Sequence, residues 1–333
     1  MSARFAQQHI SHTLLILLFG ILAYCNTFHS PFQFDDTRII EETPVVRDLH
    51  YFLSPSKAKD HVEYFIFKRR FVGYLTFAMN YAVHGFKVTG YHAVNLSIHI
   101  ANALLVYWLV RLSFPGSLPH DPASPSGDTG GSHAARIALF SSLLFLSHPI
   151  QTQAVTYIVQ RFASLATTFF LLSLVMYVRA RLNLIQGMPF ASLPVLIPYS
   201  LCFFSAVLAM KTKEIAFTLP FVITLYEFMF LRGKTGTRIL LLIPVMLTLC
   251  IIPFSLFEVA KRIAADNAVA VRDLEDATKL KTLLSREDYF FTQCRVVVTY
   301  IRLIFFPIRQ SIDYDYPIYH SLSEPPVFLS SLF

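Results

Sequence analysis

Long apolar runs recur along almost the whole chain, and no other feature restricts its fold as much. A bilayer core about 30 Å thick is crossed by a helix of roughly 17–25 apolar residues. Runs of that kind fall at residues 10–28, 91–113, 134–150, 155–178, 190–210, 215–231, 239–257 and 290–307. The expectation is therefore an all-α, polytopic integral membrane bundle of about eight spans, with 1–333 forming a single transmembrane domain. Composition agrees, since 54% of residues are hydrophobic and only 15% are charged, with a mean hydropathy of +0.51. Tyr24-Cys25-Asn26-Thr27-Phe28 after the first run offers no small-x-small cleavage site, so that run reads as a retained helix and not as a signal peptide.

The formal charge is +7, but Lys and Arg lie in loops between apolar runs, where topology and anionic lipid account for them. Nucleic acid is not an expected partner. Arg179, Arg181, Arg232, Lys234 and Arg238 sit in short loops and mark the cytoplasmic side, which puts the N-terminus inside and the 27–90 loop outside. That outer loop is itself basic, yet segments of roughly sixty residues translocate largely regardless of charge. Within it, Arg70 to Ala82 is apolar at helical spacing, short and preceded by Lys68-Arg69, which suits a helix lying in the interface. Residues 115–133, rich in Pro, Gly, Ser and Asp, read as a flexible cytoplasmic connector, and 258–290 as a charged outer loop. Cys25, Cys202, Cys250 and Cys294 have no metal-site spacing and are expected to face lipid or core.

Against this apolar background a few polar groups stand out. Asp35 and Asp36 follow the first run directly, and adjacent like charges tend to raise one carboxyl toward a useful range. His92, Asn95, His99 and Asn102 share one face of a single helix, which raises a polar cavity as one reading, with His99 and Asn102 in packing roles. Arg295 and Arg302 are seven residues apart on an apolar helix. A charge at the bilayer centre costs roughly 2.5–3.5 kcal/mol, so they call for a lipid phosphate, an acid or an interfacial position. His148-Pro149-Ile150 and Lys211-Thr212-Lys213-Glu214 fall in turns on the same side as the acid pair.

These pieces in this order resemble the GT-C superfamily of polytopic glycosyltransferases, and within it the TPR-containing transmembrane O-mannosyltransferases and their bacterial relatives. The resemblance is carried by Phe34-Asp35-Asp36, Gly90-Tyr91-His92 with Asn95, His99 and Asn102-Ala103, His148-Pro149-Ile150, Arg161, Lys213-Glu214 followed by Leu219-Pro220, and Asp313-Tyr314-Asp315-Tyr316-Pro317. Gln153 stands where this family usually carries Glu, and Lys68-Arg69-Arg70-Phe71 replaces a pattern nearer Tyr-Arg-Pro-Leu. The chain reads as the N-terminal membrane part of a longer protein of this type.

The resemblance implies transfer of a hexose, mannose in eukaryotic relatives, from a polyprenyl-phosphate donor to a hydroxyl of a secreted or membrane protein. The reaction would lie on the outer or lumenal face of a bacterial inner membrane or the endoplasmic reticulum. It needs a carboxylate to take the acceptor proton and cations to hold the leaving phosphate. Asp35 or Asp36 is the candidate base; Arg69, Arg295, Arg302 and Lys213 are candidates for the phosphate. His92, Asn95, His148, Arg161, Glu214, Asp313 and Asp315 would line the cleft. Membrane lipids are expected partners; no cofactor is demanded, a divalent cation being left open. Two other readings keep the membrane fold, namely a lipid-linked sugar transporter or flippase and a non-catalytic membrane subunit.

Overall fold

In the computed structural model, which describes residues 3–59, 61, 64–114, 129–263 and 285–332, every regular element is helical among those residues. The chain divides into two compact units, Met1–Arg262 and Ile263–Phe333. In the first unit the long helices are α1 (Ala3–Tyr24), α2 (Phe71–His84), α3 (Val88–Ser113), α4 (Thr129–Ser147), α5 (Arg161–Ile185), α6 (Leu193–Met210), α7 (Leu219–Phe230) and α8 (Thr235–Leu247). A 3-10 turn leads from α8 into α9 (Ile251–Ile263).

Four of these segments are long and apolar enough to cross a membrane: Val88–Ser113, Ile158–Ile185, Leu193–Met210 and Thr235–Phe257. The remaining expected runs are helical as well. The 215–231 run breaks into a 3-10 turn and the 12-residue α7, whose length of about 18 Å is short of a bilayer core. Arg70 to Ala82, expected to be an amphipathic helix, folds as the 14-residue α2, about 21 Å long by the same rise. The connector expected at 115–133 lies outside the described residues for 115–128, and α4 begins at Thr129. The outer loop expected at 258–290 is helical to Ile263 and again from Arg286, and its middle, 264–284, lies outside the described residues.

Helix α3 packs against α1, α4 and α5, and α5 carries the bundle on to α6. One apolar cluster joins α1, α3 and α4 through Ile16, Leu96, Ile100, Ala138 and Leu146. A second joins α5 to α6, α7 and α8 through Val175, Val178, Ala206, Ile223 and Leu242. Gly20 lets α1 approach α3 so closely that a Cβ there would sit 2.7 Å from Ile100. Outward faces stay apolar, as Leu14, Leu18, Phe140, Leu144 and Phe204 show by their exposure, which is the pattern of helices that face lipid.

The two ends of α5 carry charge. At its C-terminal end Arg181 forms a forked pair with Glu227 at 2.8 and 2.7 Å, Tyr177 donates to the same carboxylate at 3.0 Å, and Arg238 approaches it at 3.3 Å. Glu227 is wholly buried. Arg181, read from sequence as a loop cation, is instead the buried counter-ion of an acid on α7. At its N-terminal end stands Arg161, twenty residues and so about 30 Å away along the helix.

In the second unit, α10 (Arg286–Phe305) starts at Ser285, whose hydroxyl accepts from the Asp288 amide at 3.0 Å. The following irregular stretch returns to it, with the Tyr319 amide donating to Thr292 at 3.2 Å and His320 paired to Asp288 at 2.8 Å. A short helix, Pro325–Ser331, closes the unit.

Candidate active site

The loop after α1 is joined to the turn that starts α5 by hydrogen bonds between side chains and backbone amides. Asp36 accepts the Val159 amide on Oδ1 at 2.7 Å and the Gln33 amide on Oδ2 at 3.1 Å, and its own amide donates back to the Gln33 carbonyl at 3.0 Å. Asp36 is 1% exposed. Burial pushes its carboxyl up to about 6, against the pull of the amides of Gln33, Val159 and Ile158. Asp35 takes the opposite direction: its side chain is exposed, and its amide donates to the Tyr157 hydroxyl at 3.1 Å. The two acids therefore divide into one buried tie and one carboxylate open to solvent.

The raised Asp36 carboxyl has a consequence for stability. Below its ordinary value of 3.8 the group is protonated in folded and unfolded chain alike. Between there and about 6 only the folded chain keeps the proton, so this site favours the fold on the acid side and loses that advantage as pH rises through the folded value. The difference between the two values corresponds to at most about 3 kcal/mol. The expected result is that the unfolding midpoint of the wild type gains on that of Asp36→Asn as pH falls from about 7 to about 5. A difference independent of pH would mean that Asp36 ionises like an exposed acid.

The polar stripe of α3 bonds mainly to backbone carbonyls. His92 meets the Ser30 carbonyl at 2.9 Å, Asn95 donates to the carbonyls of Val155 and Ile158 at 3.3 and 3.2 Å, His99 meets Leu146 at 3.0 Å, and Asn102 donates to Ser164 at 3.0 Å. The Ser30, Leu146, Val155 and Ile158 carbonyls lie at or near helix ends, where a buried carbonyl without a donor is costly, while the Ser164 carbonyl, in the first turn of α5, takes the Asn102 bond in addition to one from the Thr168 hydroxyl at 3.1 Å. The stripe thus staples the α4–α5 connection and the loop after α1 onto α3. His99 and Asn102 have the packing roles expected of them, and His92 and Asn95 join them. His148 does a similar local task, accepting the Ile150 amide at 3.2 Å as the cap of a 3-10 turn.

Arg161 is the centre of this construction. Its Nε donates to Asn95 Oδ1 at 2.7 Å, Nη2 to Asn80 Oδ1 at 2.8 Å and to the Tyr91 carbonyl at 3.0 Å, and Nη1 to the Thr76 carbonyl at 3.3 Å. The guanidinium lies 4.4 Å from the centre of the Phe77 ring. It is wholly buried, so it knots α2, α3 and α5 together from inside and is not a wall residue of an open cleft. Gly73 permits this approach, since a Cβ there would lie 2.2 Å from the Phe162 ring.

One residue beyond Arg161, the surface becomes basic. Arg70 lies over the Phe162 ring at 5.5 Å and donates to Glu214 Oε2 from Nη2 at 3.0 Å, while Arg69 Nη2 donates to Oε1 at 2.5 Å. Burial pulls the Glu214 carboxyl up, but the charge and hydrogen bonds of Arg70, and then Arg69, hold it below the usual carboxylate range. Burial and the nearby Lys68 lower Lys211, whose carbonyl accepts the Val72 amide at 3.2 Å. Lys213 precedes Glu214 at the start of its turn. One acid thus faces two arginines, with Lys68 near Lys211 and Lys213 next to the acid in the chain. Arg69, with 11% of its side chain exposed, keeps Nε and Nη1 buried and without an acceptor among the described residues.

Asp36 bonded to Val159 and Arg70 stacked on Phe162 anchor the acidic loop and the basic cluster to one four-residue stretch. Asp35, Asp36, Arg69, Lys213 and Glu214 are brought to this end of the bundle, with His92, Asn95, His148 and Arg161 holding its frame. Arg295, Arg302, Asp313 and Asp315 belong to the second unit. There Arg302, Asp313 and Asp315 are exposed, and Arg295 donates to Thr299 at 3.4 Å. Sequence reasoning passed over Arg70, Tyr157 and Asn80; the first lay beside a residue already chosen, and the other two carry no charge. Among the described residues no three His, Cys, Asp or Glu side chains gather to hold a metal ion.

No family model matches the chain, and no solved structure matches it. Curated relatives do. The chain is 29% identical over 184 residues to a Caenorhabditis elegans protein O-mannosyl-transferase, covering 52% of this chain and 24% of that protein. It is 28% identical over 186 residues to protein O-mannosyl-transferase Tmtc3 of Drosophila melanogaster, covering 52% and 20%. With human protein O-mannosyl-transferase TMTC3 it shares 26% identity over 236 residues, covering 66% and 22%. The match thus spans between a fifth and a quarter of those relatives' own length, and over that part the chain is similar to proteins named protein O-mannosyl-transferases.

Proposed function

We propose that the chain is the membrane part of a glycosyltransferase that moves a hexose, mannose by analogy with the named relatives, from a polyprenyl-phosphate donor to a protein hydroxyl. The observation that supports it best is that one end of the bundle holds both an exposed carboxylate, Asp35, and a half-satisfied guanidinium, Arg69. Asp35 accepts the proton of the acceptor hydroxyl as its oxygen attacks C1 of the sugar, opposite the departing lipid phosphate. Charge that develops on that phosphate is met by Arg69, with Lys211 and Lys213 beside it. Buried N–H groups left without an acceptor cost about 1–3 kcal/mol each, and a phosphate oxygen would recover that cost at Arg69. Glu214 keeps the two arginines in place and discharges part of the cluster while the site is empty. These roles rest on the first unit alone, and the side of the membrane follows the sequence expectation of an outer or lumenal face.

The test is Arg69→Gln, with Arg69→Lys beside it, in the purified 333-residue chain supplied with a polyprenyl-phosphate mannose and a Ser/Thr-rich peptide. A lost charge-assisted hydrogen bond of about 1.5–3 kcal/mol predicts a donor KM raised about 10–100-fold, with the lysine variant between the glutamine variant and wild type. A donor KM unchanged in both folded variants would remove Arg69 from the phosphate site.

A further inference from the structure

We propose that Tyr157 is a positioning residue that aims the Asp35 carboxylate, an inference that depends on Asp35 being the base. Phe34, directly before Asp35, has φ of +50°. For a bulky L-residue this region is a real outlier, costing on the order of 1–3 kcal/mol, and it persists only where the surroundings enforce it. The enforcement is visible in the contacts. Tyr157, 8% exposed, offers its hydroxyl to the Asp35 amide at 3.1 Å and its ring edge-on to the Phe34 ring, with centroids 6.3 Å apart. One fixed side chain therefore touches both the strained residue and the reactive one.

The neighbouring bonds make the strain useful. The turn closes on itself through Gln33 and Asp36, and Asp36 is tied to Val159, two residues from Tyr157. Asp35 is held on either side by attachments to the same short turn, while the residue itself is exposed. If Phe34 relaxed to a negative φ, the Cα–Cβ direction of Asp35 would swing with it. The Tyr157 hydroxyl and ring are what oppose that relaxation. A general base displaced by about 1 Å loses on the order of 10²-fold in rate, while the donor phosphate, held elsewhere, is unaffected.

Tyr157→Phe keeps the ring contact and deletes the hydroxyl. In the full chain with polyprenyl-phosphate mannose and a Ser/Thr-rich peptide, kcat per donor-binding molecule is expected to fall about 10–100-fold. Donor KM and the donor-binding stoichiometry should stay at wild-type values. A role in stability alone would lower the fraction of chains that bind donor and leave kcat per binding molecule intact, and that outcome overturns the inference. Asp35→Asn is measured in parallel. If it abolishes transfer while Tyr157→Phe retains wild-type kcat, the positioning role is wrong and the base assignment survives. If Asp35→Asn transfers normally, the base assignment fails and takes the positioning role with it. Should Tyr157→Phe not fold, Phe34→Gly removes both the strain and the ring contact. An approximately 10-fold loss of kcat supports the role, and wild-type kcat refutes it.

Discussion

Asp35→Asn is expected to lower sugar transfer by about 10²–10⁴-fold, the usual worth of a general base, in a chain that folds as well as the wild type. The structure gives the reason for both halves. The side chain of Asp35 is exposed, and the bond that fixes the residue runs from its backbone amide to Tyr157, which asparagine keeps. A surface change of this sort alters stability by roughly 0.5 kcal/mol at most. Asparagine is nearly isosteric but cannot take a proton, so binding of donor and peptide should survive while chemistry stops. The measurement is transfer from polyprenyl-phosphate mannose to a Ser/Thr-rich peptide, alongside the unfolding midpoint and donor binding. Transfer at the wild-type rate by a folded Asp35→Asn chain would end the assignment of Asp35 as base. Asp36 is the contrast, because its two oxygens accept the amides of Gln33 and Val159, and its replacement acts on the loop.

Arg161→Met should be the most damaging single change to the fold. Methionine has a similar reach and no donors, so the four oxygens now served by Arg161, on Asn95, Asn80, Tyr91 and Thr76, lose those bonds at once. The Thr76 and Tyr91 carbonyls keep the amide donors of their own helices, but the Asn95 and Asn80 oxygens are left without a donor at about 1–3 kcal/mol each, and the losses do not add fully because they belong to one network. A total of about 4–5 kcal/mol is expected, a large share of the 5–15 kcal/mol by which proteins are usually stable. Arg161→Lys should recover less than half, since an ammonium cannot reach the same four oxygens with the geometry of a planar fork. Thermal unfolding of detergent-purified chains, or the yield of monodisperse protein, reads the effect. Wild-type stability in Arg161→Met would show that these bonds do not hold α2, α3 and α5 together.

The helices were legible because their cause is local. A run such as Leu193–Met210 is apolar enough to state its own secondary structure, and the three-four-three spacing of His92, Asn95, His99 and Asn102 states that they share a face. What that face meets was not legible. The four side chains serve carbonyls at Ser30, Val155, Ile158, Leu146 and Ser164, and those at Leu146, Val155 and Ile158 need donors because the chain is broken and turned between α4 and α5. Arg161 shows the same limit. It is a single cation at the head of an apolar run, and its acceptors come from four other points between 76 and 95, two of them backbone carbonyls that carry no sequence signature.

The sequence by itself determined a membrane chain built of helices, with acids, cations and a polar stripe set at the ends of its apolar runs, because apolar length and helical period act between near neighbours. Only the tertiary structure decided that Asp36 is buried and Asp35 open, that Arg69 and Arg70 share Glu214 across about 145 positions, and that Arg181 neutralises Glu227. Those outcomes depend on which backbone amides and which opposite charges the folded chain carries to the same place, and separation along the sequence holds no record of that distance.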